Sequence, residues 1–172
     1  MKKAIIDCGG WKGDSIEFLR KQFGNYTVHT FECNPVFFSY YNNFENHILH
    51  KKAVWIFNGD VTFYLQDNPL WDGHSICKEK SNVKYPITVK CIDFSKWILD
   101  NFTKEDELFL KMNIEGAEYK VLDKMLKDNS IDYFNKQLII SFHQERYTDI
   151  TSLENQNRII IELKKRYFKI GL

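Results

Sequence analysis

At 172 residues the chain is long enough for one domain with a sheet covered on both faces, and too short for two. Its 24 basic and 23 acidic residues leave a formal charge of +1 with Lys164-Lys165-Arg166 as the one basic block, so the footprint of a nucleic-acid binder is missing. No apolar run approaches the roughly 18 residues of a membrane span, and Cys8, Cys33, Cys77 and Cys91 have no zinc-type spacing, so they are expected to be reduced thiols of a cytoplasmic protein that starts directly on its first strand.

The first element is an apolar strand, Ala4-Ile5-Ile6, running through Asp7 into Cys8-Gly9-Gly10-Trp11-Lys12-Gly13 and a helix that opens at Asp14. Asp14 and Glu17 are spaced as a capping box, and Gly24 and Asn25 supply a left-handed stop after Phe23. A second strand from Tyr26 to Phe31 ends at Glu32. Asn34 and Pro35 then suit the N-cap and first position of a helix whose aromatic stripe (Phe37, Phe38, Tyr40, Tyr41, Phe44) belongs to the core. A third strand is expected from Lys52 to Phe57, with Asn58-Gly59 turning it into a hairpin with Val61 to Tyr64. Gln66 to Lys84 has no periodicity. It reads as a long functional loop with Leu70, Trp71 and Ile76 embedded, in which His74 and Ser75 close over a pocket.

Tyr85 to Ile92 alternates like a strand with one wet face, and Asp93 caps a helix from Phe94 to Phe102. Leu108 to Met112 is a buried strand running into Asn113-Ile114-Glu115-Gly116-Ala117-Glu118 and a helix to about Lys127, and Leu138 to Phe142 is another, ending at His143. Thr151 and Glu154 form a second capping box for a helix reaching Tyr167, and Phe168 to Leu172 suits a last short strand. Strands alternating with helices predict a mainly parallel sheet with right-handed crossovers, whose ligand lies beyond the carboxyl ends of the strands. Asp7, Glu32, Asn113, Glu115 and His143 stand at those ends, acidic or amide for the most part, as a cationic cofactor requires.

Glycines after the first strand allow positive φ and close approach of a ligand, and the helix that follows offers its amides to an anionic group. A dinucleotide fingerprint needs G-x-G-x-x-G, and Trp11 stands where the second glycine belongs. The pattern D-x-G-x-x-x-G resembles instead the first motif of S-adenosylmethionine-dependent methyltransferases. That resemblance implies that Asp7 faces the cofactor's ammonium, directly or through water, while the Gly9 to Gly13 backbone packs against its methionine part. Glu32 follows Gly9 at close to the roughly 20-residue offset from which a strand-end carboxylate reaches ribose hydroxyls. Asn34-Pro35-Val36-Phe37 has the wrong third residue, after the wrong strand, for the Asn-Pro-Pro-aromatic motif of amino methyltransferases, and reads as helix capping and an adenine-side wall.

With Phe31-Glu32-Cys33-Asn34-Pro35 and Leu110-Lys111-Met112-Asn113-Ile114-Glu115-Gly116-Ala117-Glu118 in place, the chain from Ile5 to about Phe142 resembles the FkbM-like S-adenosylmethionine-dependent methyltransferases. Members carry the D-x-G-x-x-x-G loop, an F-E-P-x-P-like end to the second strand and an L-K-x-D-x-E-G-x-E stretch at the fourth. The resemblance implies a Rossmann-like class I methyltransferase fold: an α/β architecture with a mainly parallel sheet and helices on both faces, here with its C-terminal strand pair shortened. The exposed sheet edge this leaves is expected to serve as a homodimer contact. The resemblance also implies a cofactor site drawn from Asp7, Gly9, Gly10, Gly13, Asp14, Ser15, Glu32, Cys33, Asn34 and Ala53, and methyl transfer to a hydroxyl of a sugar, glycan or other natural product. Asn113 stands where the family usually has Asp, which weakens the case for a carboxylate base or metal ligand there and leaves a divalent metal as an open question.

Methyl transfer from a sulfonium needs an oxygen positioned in line and its proton removed, by a base or with the help of a metal. His143, Glu115 and Asn113 are the catalytic candidates. His143 is the preferred base because it ends a buried strand at the ligand edge and titrates near neutrality. Glu115 orients the hydroxyl or acts as the base itself, and Glu118 reads equally as a capping or scaffold carboxylate. Gln144, Glu145 and Arg146 suit hydrogen bonds to a polyhydroxylated acceptor. The competing readings are methylation of RNA or protein, disfavoured by the neutral charge, and a cofactor-binding subunit without catalysis.

Overall fold

The computed structural model describes residues 1–78, 83–143 and 153–166, and the backbone of 170–171. In chain order the elements are β1 (Lys3–Cys8), α1 (Asp14–Phe23), β2 (Thr27–Phe31), β3 (His47–His50), β4 (Ala53–Trp55), β5 (Gly59–Leu65), β6 (Tyr85–Asp93), α2 (Phe94–Asn101), β7 (Glu107–Met112), α3 (Glu118–Lys127), β8 (Gln137–Ile140), α4 (Leu153–Arg166) and β9 (Ile170–Gly171), with 3-10 helices at Pro35–Tyr41 and Ser130–Tyr133. Six parallel strands form the main sheet in the order β3-β2-β1-β7-β8-β9. The strand order reverses between β1 and β7, the switch point of a Rossmann-like fold. Among the described residues this sheet has no antiparallel strand.

Period-two alternation sends successive side chains to two cores. Ala4, Ile6 and Cys8 of β1 and Leu108, Leu110 and Met112 of β7 pack with Phe94 and Ile98 of α2, Tyr119, Leu122 and Met125 of α3, and Ile159 and Leu163 of α4. Ile5 and Val28 pack on the other face with Ile16 and Leu19 of α1 and with Phe37 and Tyr41 of the first 3-10 helix. The expected aromatic stripe is therefore divided: Phe37 and Tyr41 are buried, whereas Tyr40 is exposed. Asn34 caps its helix as expected, accepting the Val36 N–H, and Asp93 caps α2 by accepting from Lys96.

Several local expectations are corrected. The capping box at Asp14 and Glu17 does not form. Gly13 (φ 86) is the N-cap of α1 and no side chain caps it, so Asp14 becomes the first helical residue, where it and Glu17 still complement the helix dipole. The strand expected over 52–57 is shorter, Ala53–Trp55, and belongs to a second sheet of order β4-β6-β5, while the third strand of the main sheet is His47–His50, which the sequence reading did not assign. Asn58-Gly59 makes no hairpin, because β4 and β5 both pair with β6, in parallel and antiparallel, and the nine-residue β6 lies between them. Asn58 Oδ1 instead accepts the Asp93 N–H at 3.0 Å. The strand expected to reach Phe142 ends at Ile140. Gln144, Glu145, Arg146, Thr151, Tyr167, Phe168 and Leu172 lie outside the described residues.

Candidate active site

Parallel pairing sets His50, Phe31, Cys8, Met112 and Ile140 in one row across the main sheet, so the chain leaves five strands at one level. Backbone bonds continue one step past that row: Gly9 N–H donates to Phe31 O (3.0 Å), Glu32 N–H to His50 O (3.1 Å) and Asn113 N–H to Cys8 O (2.9 Å). Above them lies an open cleft, walled by Gly9, Trp11, Phe31, Glu32, Cys33, Phe37, Lys52, Ala53 and Val54 on the β1–β4 side and by Asn113, Ile114, Glu115 and Ala117 on the β7 side. Its mostly apolar lining with a few convergent polar groups suits a small-molecule ligand.

Glu32 is buried at the edge of this cleft. One oxygen accepts the Asn34 N–H (2.7 Å) and the other the Trp11 N–H (2.8 Å), so one carboxylate fastens the glycine loop to the first 3-10 helix. Burial pushes its carboxyl up to about 7, against the pull of those two backbone donors. Gly9 (φ 83) must be glycine, because a Cβ there would stand 2.0 Å from Asn113 O.

The remaining loop residues lie behind the cleft rather than on it. Asp7 is fully buried, accepts from Ser15 Oγ (2.6 Å) and stands 2.9 Å from Lys111 Nζ, which also donates to Gly9 O (2.6 Å). Asp7 therefore stands as a clamp beneath the loop, tied to Ser15 and Lys111, rather than on the cleft wall. Gly10 packs on Thr30 and Tyr41, and Gly13 on Phe44, where any Cβ would collide. Asp14 is exposed on α1, Ser15 is turned to Asp7, and Asn34 is occupied with its cap and with Pro69 O (3.4 Å). Of the cofactor candidates read from sequence, Gly9, Glu32, Cys33 and Ala53 line the cleft. Burial raises the Cys33 thiol well above its ordinary range, so it is an unreactive wall residue.

At the opposite end, the Asn113–Glu118 loop turns sharply through left-handed backbone at Glu115 (φ 58) and Gly116 (φ 105). Glu118 is fully buried and holds this turn by accepting from Ile114 N–H (2.7 Å) and Gly116 N–H (2.6 Å). His143 lies between two carboxylates, Nδ1 at 3.2 Å from Glu118 Oε1 and Nε2 at 3.3 Å from Glu115 Oε1. Burial alone would lower its pKa, but the hydrogen bonds and charges of Glu115 and Glu118 outweigh it and raise the imidazole to about 9. His143 is thus already protonated near neutrality with both nitrogens engaged, which contradicts its expected role as the base. Glu115, not His143, lines the cleft.

The long loop forms the roof, where Trp71, Asp72, Gly73, His74 and Ile76 join the lining. It is firmly tied. Tyr64 and Ser75 exchange backbone bonds (2.7 and 3.1 Å), His74 Nδ1 accepts from Gln66 N–H (3.0 Å) while Nε2 faces Pro69 O (3.0 Å), and Ser75 Oγ donates to Glu115 O (2.6 Å). So His74 does reach the cleft, whereas Ser75 pins the backbone of the Glu115 turn.

Sequence reasoning missed Trp11, Lys52 and Phe63 as wall residues, and Lys111 as the clamp, whereas Phe37, part of the stretch read as an adenine-side wall, does line the cleft. A lysine inside an otherwise apolar buried strand was the available signal for Lys111. Two cleft residues retain a buried polar atom with no partner among the described residues: Trp11 Nε1 and Asn113 Oδ1. Among the described residues no group of three or more His, Cys, Asp or Glu side chains is arranged to hold a metal ion, and no helix is long and apolar enough to cross a membrane.

A family model described as the methyltransferase FkbM domain matches residues 7–169. No curated protein and no solved structure matches the chain.

Proposed function

The chain belongs to the FkbM methyltransferase domain family, which implies use of S-adenosylmethionine, and from that premise we propose that it methylates a hydroxyl oxygen carried by a sugar or glycan. The donor set suits the cofactor. Glu32 would take the ribose hydroxyls, the apolar wall of Phe31, Phe37, Ala53 and Val54 would flank the adenine, and the cleft keeps two buried polar atoms unpaired for the remainder. When bound, the cofactor supplies an electrophilic methyl carbon on a cationic sulfur.

The observation that carries the acceptor side is the Glu118–His143–Glu115 chain ending at the cleft. Glu115 accepts the acceptor's hydroxyl proton. The His143 imidazolium, anchored on buried Glu118, holds the Glu115 carboxylate in place, and Ser75 fixes the strained backbone beneath it. Exposed Trp71 beside Asp72 at the roof, together with Lys52 of the cleft lining, offers an aromatic face and hydrogen-bonding groups of both signs, which suits a polyhydroxylated acceptor.

The test is release of S-adenosylhomocysteine from S-adenosylmethionine in the presence of deoxy-sugar and glycan acceptors. Glu115→Gln is expected to lower kcat by about 10²–10⁴-fold, the range for loss of a general base, while its calorimetric affinity for S-adenosylhomocysteine stays that of the wild type. Full turnover in that variant would remove Glu115 from the reaction. Asn113, in place of the family's usual Asp, favours a second reading as a cofactor-binding subunit without catalysis. Tight S-adenosylhomocysteine binding with no turnover on any acceptor would support that reading.

A further inference from the structure

The indole Nε1 of Trp11 and the Oδ1 of Asn113 are buried without a hydrogen-bond partner among the described residues, and both residues line the cleft. Buried polar groups are nearly always paired in folded proteins, so two orphans lining one cleft, one on each side, mark places where a ligand completes the bonding. The backbone forces both residues into position. Trp11 has φ 49, an uncommon conformation for an aromatic residue, and is held in it by its N–H on Glu32 Oε2 (2.8 Å) and by the Tyr41 hydroxyl donating to its carbonyl (2.7 Å). Asn113 is carried on the last backbone bond between β7 and β1, at the closest approach of the two loops. The pair therefore flanks the switch point of the sheet.

Their chemistry is complementary to one class of group. An indole N–H only donates, and an amide oxygen only accepts. The two ends of an α-amino acid zwitterion match them, a carboxylate for the indole and an ammonium for the amide oxygen. Asp7, the carboxylate that the sequence pattern would assign to the ammonium, is occupied by Ser15 and Lys111 below the loop. We propose that Trp11 and Asn113 read the amino-acid end of the sulfonium cofactor. This rests on the cofactor reading above. Glu32 and the apolar wall serve the adenosine end, so the two ends can be tested separately.

The experiment is calorimetric titration of the full chain with S-adenosylhomocysteine and with 5′-deoxy-5′-methylthioadenosine, which lacks the amino-acid end. Trp11→Phe and Asn113→Leu are each expected to weaken S-adenosylhomocysteine about tenfold, the worth of one hydrogen bond to a charged group, and to leave methylthioadenosine affinity unchanged. That unchanged affinity also reports a folded variant. Asn113→Asp is expected to retain S-adenosylhomocysteine binding, because a carboxylate accepts from an ammonium as well as an amide does. Equal losses for both ligands would make these residues mere walls and overturn the proposal, as would undiminished S-adenosylhomocysteine affinity in both truncating variants. Wild-type protein that binds neither ligand would overturn the cofactor reading itself, and this proposal with it.

Discussion

Glu32 combines burial with two backbone donors, and burial prevails: its carboxyl stands near 7. Around neutral pH it is therefore divided between a protonated form and a carboxylate, and only the carboxylate offers acceptor sites to both hydroxyls of a ribose. Binding an adenosine ligand is expected to pull it toward the carboxylate. Affinity for S-adenosylhomocysteine should then rise between pH 6 and pH 8, with proton uptake by the buffer that shows as a buffer-dependent enthalpy in calorimetry. Glu32→Gln should bind more weakly and lose that pH dependence. A flat profile in the wild type would mean that the ligand leaves Glu32 untouched. The same residue illustrates what sequence reasoning can reach: its position at a strand end identified it, whereas its two backbone partners, Trp11 and Asn34, depend on how the loop and the 3-10 helix fold around it.

Between elements, the decisive link is the Lys111 bridge from β7 to β1 and its loop. Lys111→Met would strip Gly9 O of its donor and leave the Asp7 charge buried opposite a thioether. The expected cost is about 3–5 kcal/mol in urea unfolding, as for other broken buried pairs, and adding Asp7→Asn should recover part of it because the two sites are coupled. Additive losses in the double variant would show that the pair is independent. The succession of strands and helices was legible because β1, β7 and β8 are short apolar runs bounded by turn residues, and Asn34 and Asp93 cap where they should. Strand β3 was not, since His47-Ile48-Leu49-His50 is a half-exposed strand with no alternation to betray it. Nor was the second sheet: Asn-Gly signals a local hairpin, but β6 is long enough to take both β4 and β5 as neighbours. The His143 assignment failed for a related reason, because residue type gave its ordinary titration range while tertiary contact with two carboxylates moved it.

Taken over the whole molecule, these titrations bend stability in both directions. His29 and His50 meet ring nitrogen to ring nitrogen at 3.1 Å, and burial first, then neighbouring positive charge, lowers both to about 4. Unfolded histidines gain protons below about 6.5, so the fold loses stability as pH falls from there toward 4. Glu32 opposes this over 4.5 to 7, but as one group against two. His143 acts on the other side. Its folded value near 9 lies above the unfolded one, so its contribution is complete below about 6.5 and is lost as pH rises through 9. That loss is up to ~3 kcal/mol at about 1.4 kcal/mol per pKa unit. Melting temperature is expected to peak near pH 6.5, with the alkaline decline flattened in His143→Gln. A decline that persists unchanged in that variant would assign it to other groups.

The Tyr64–Ser75 bridge gives the roof a property of a different kind. It brings the two ends of the intervening segment together as neighbours on the small sheet, so the scaffold closes its mouth while His74, with Gln66 and Pro69, ties its interior. Loop-closure entropy grows only slowly with length, and changes in the interior of this segment need not disturb the pairing at its mouth. The segment is therefore an interchangeable cassette: lengthening it or exchanging its interior would redraw the acceptor side of the cleft while leaving the strand-end row and the glycine loop as they are.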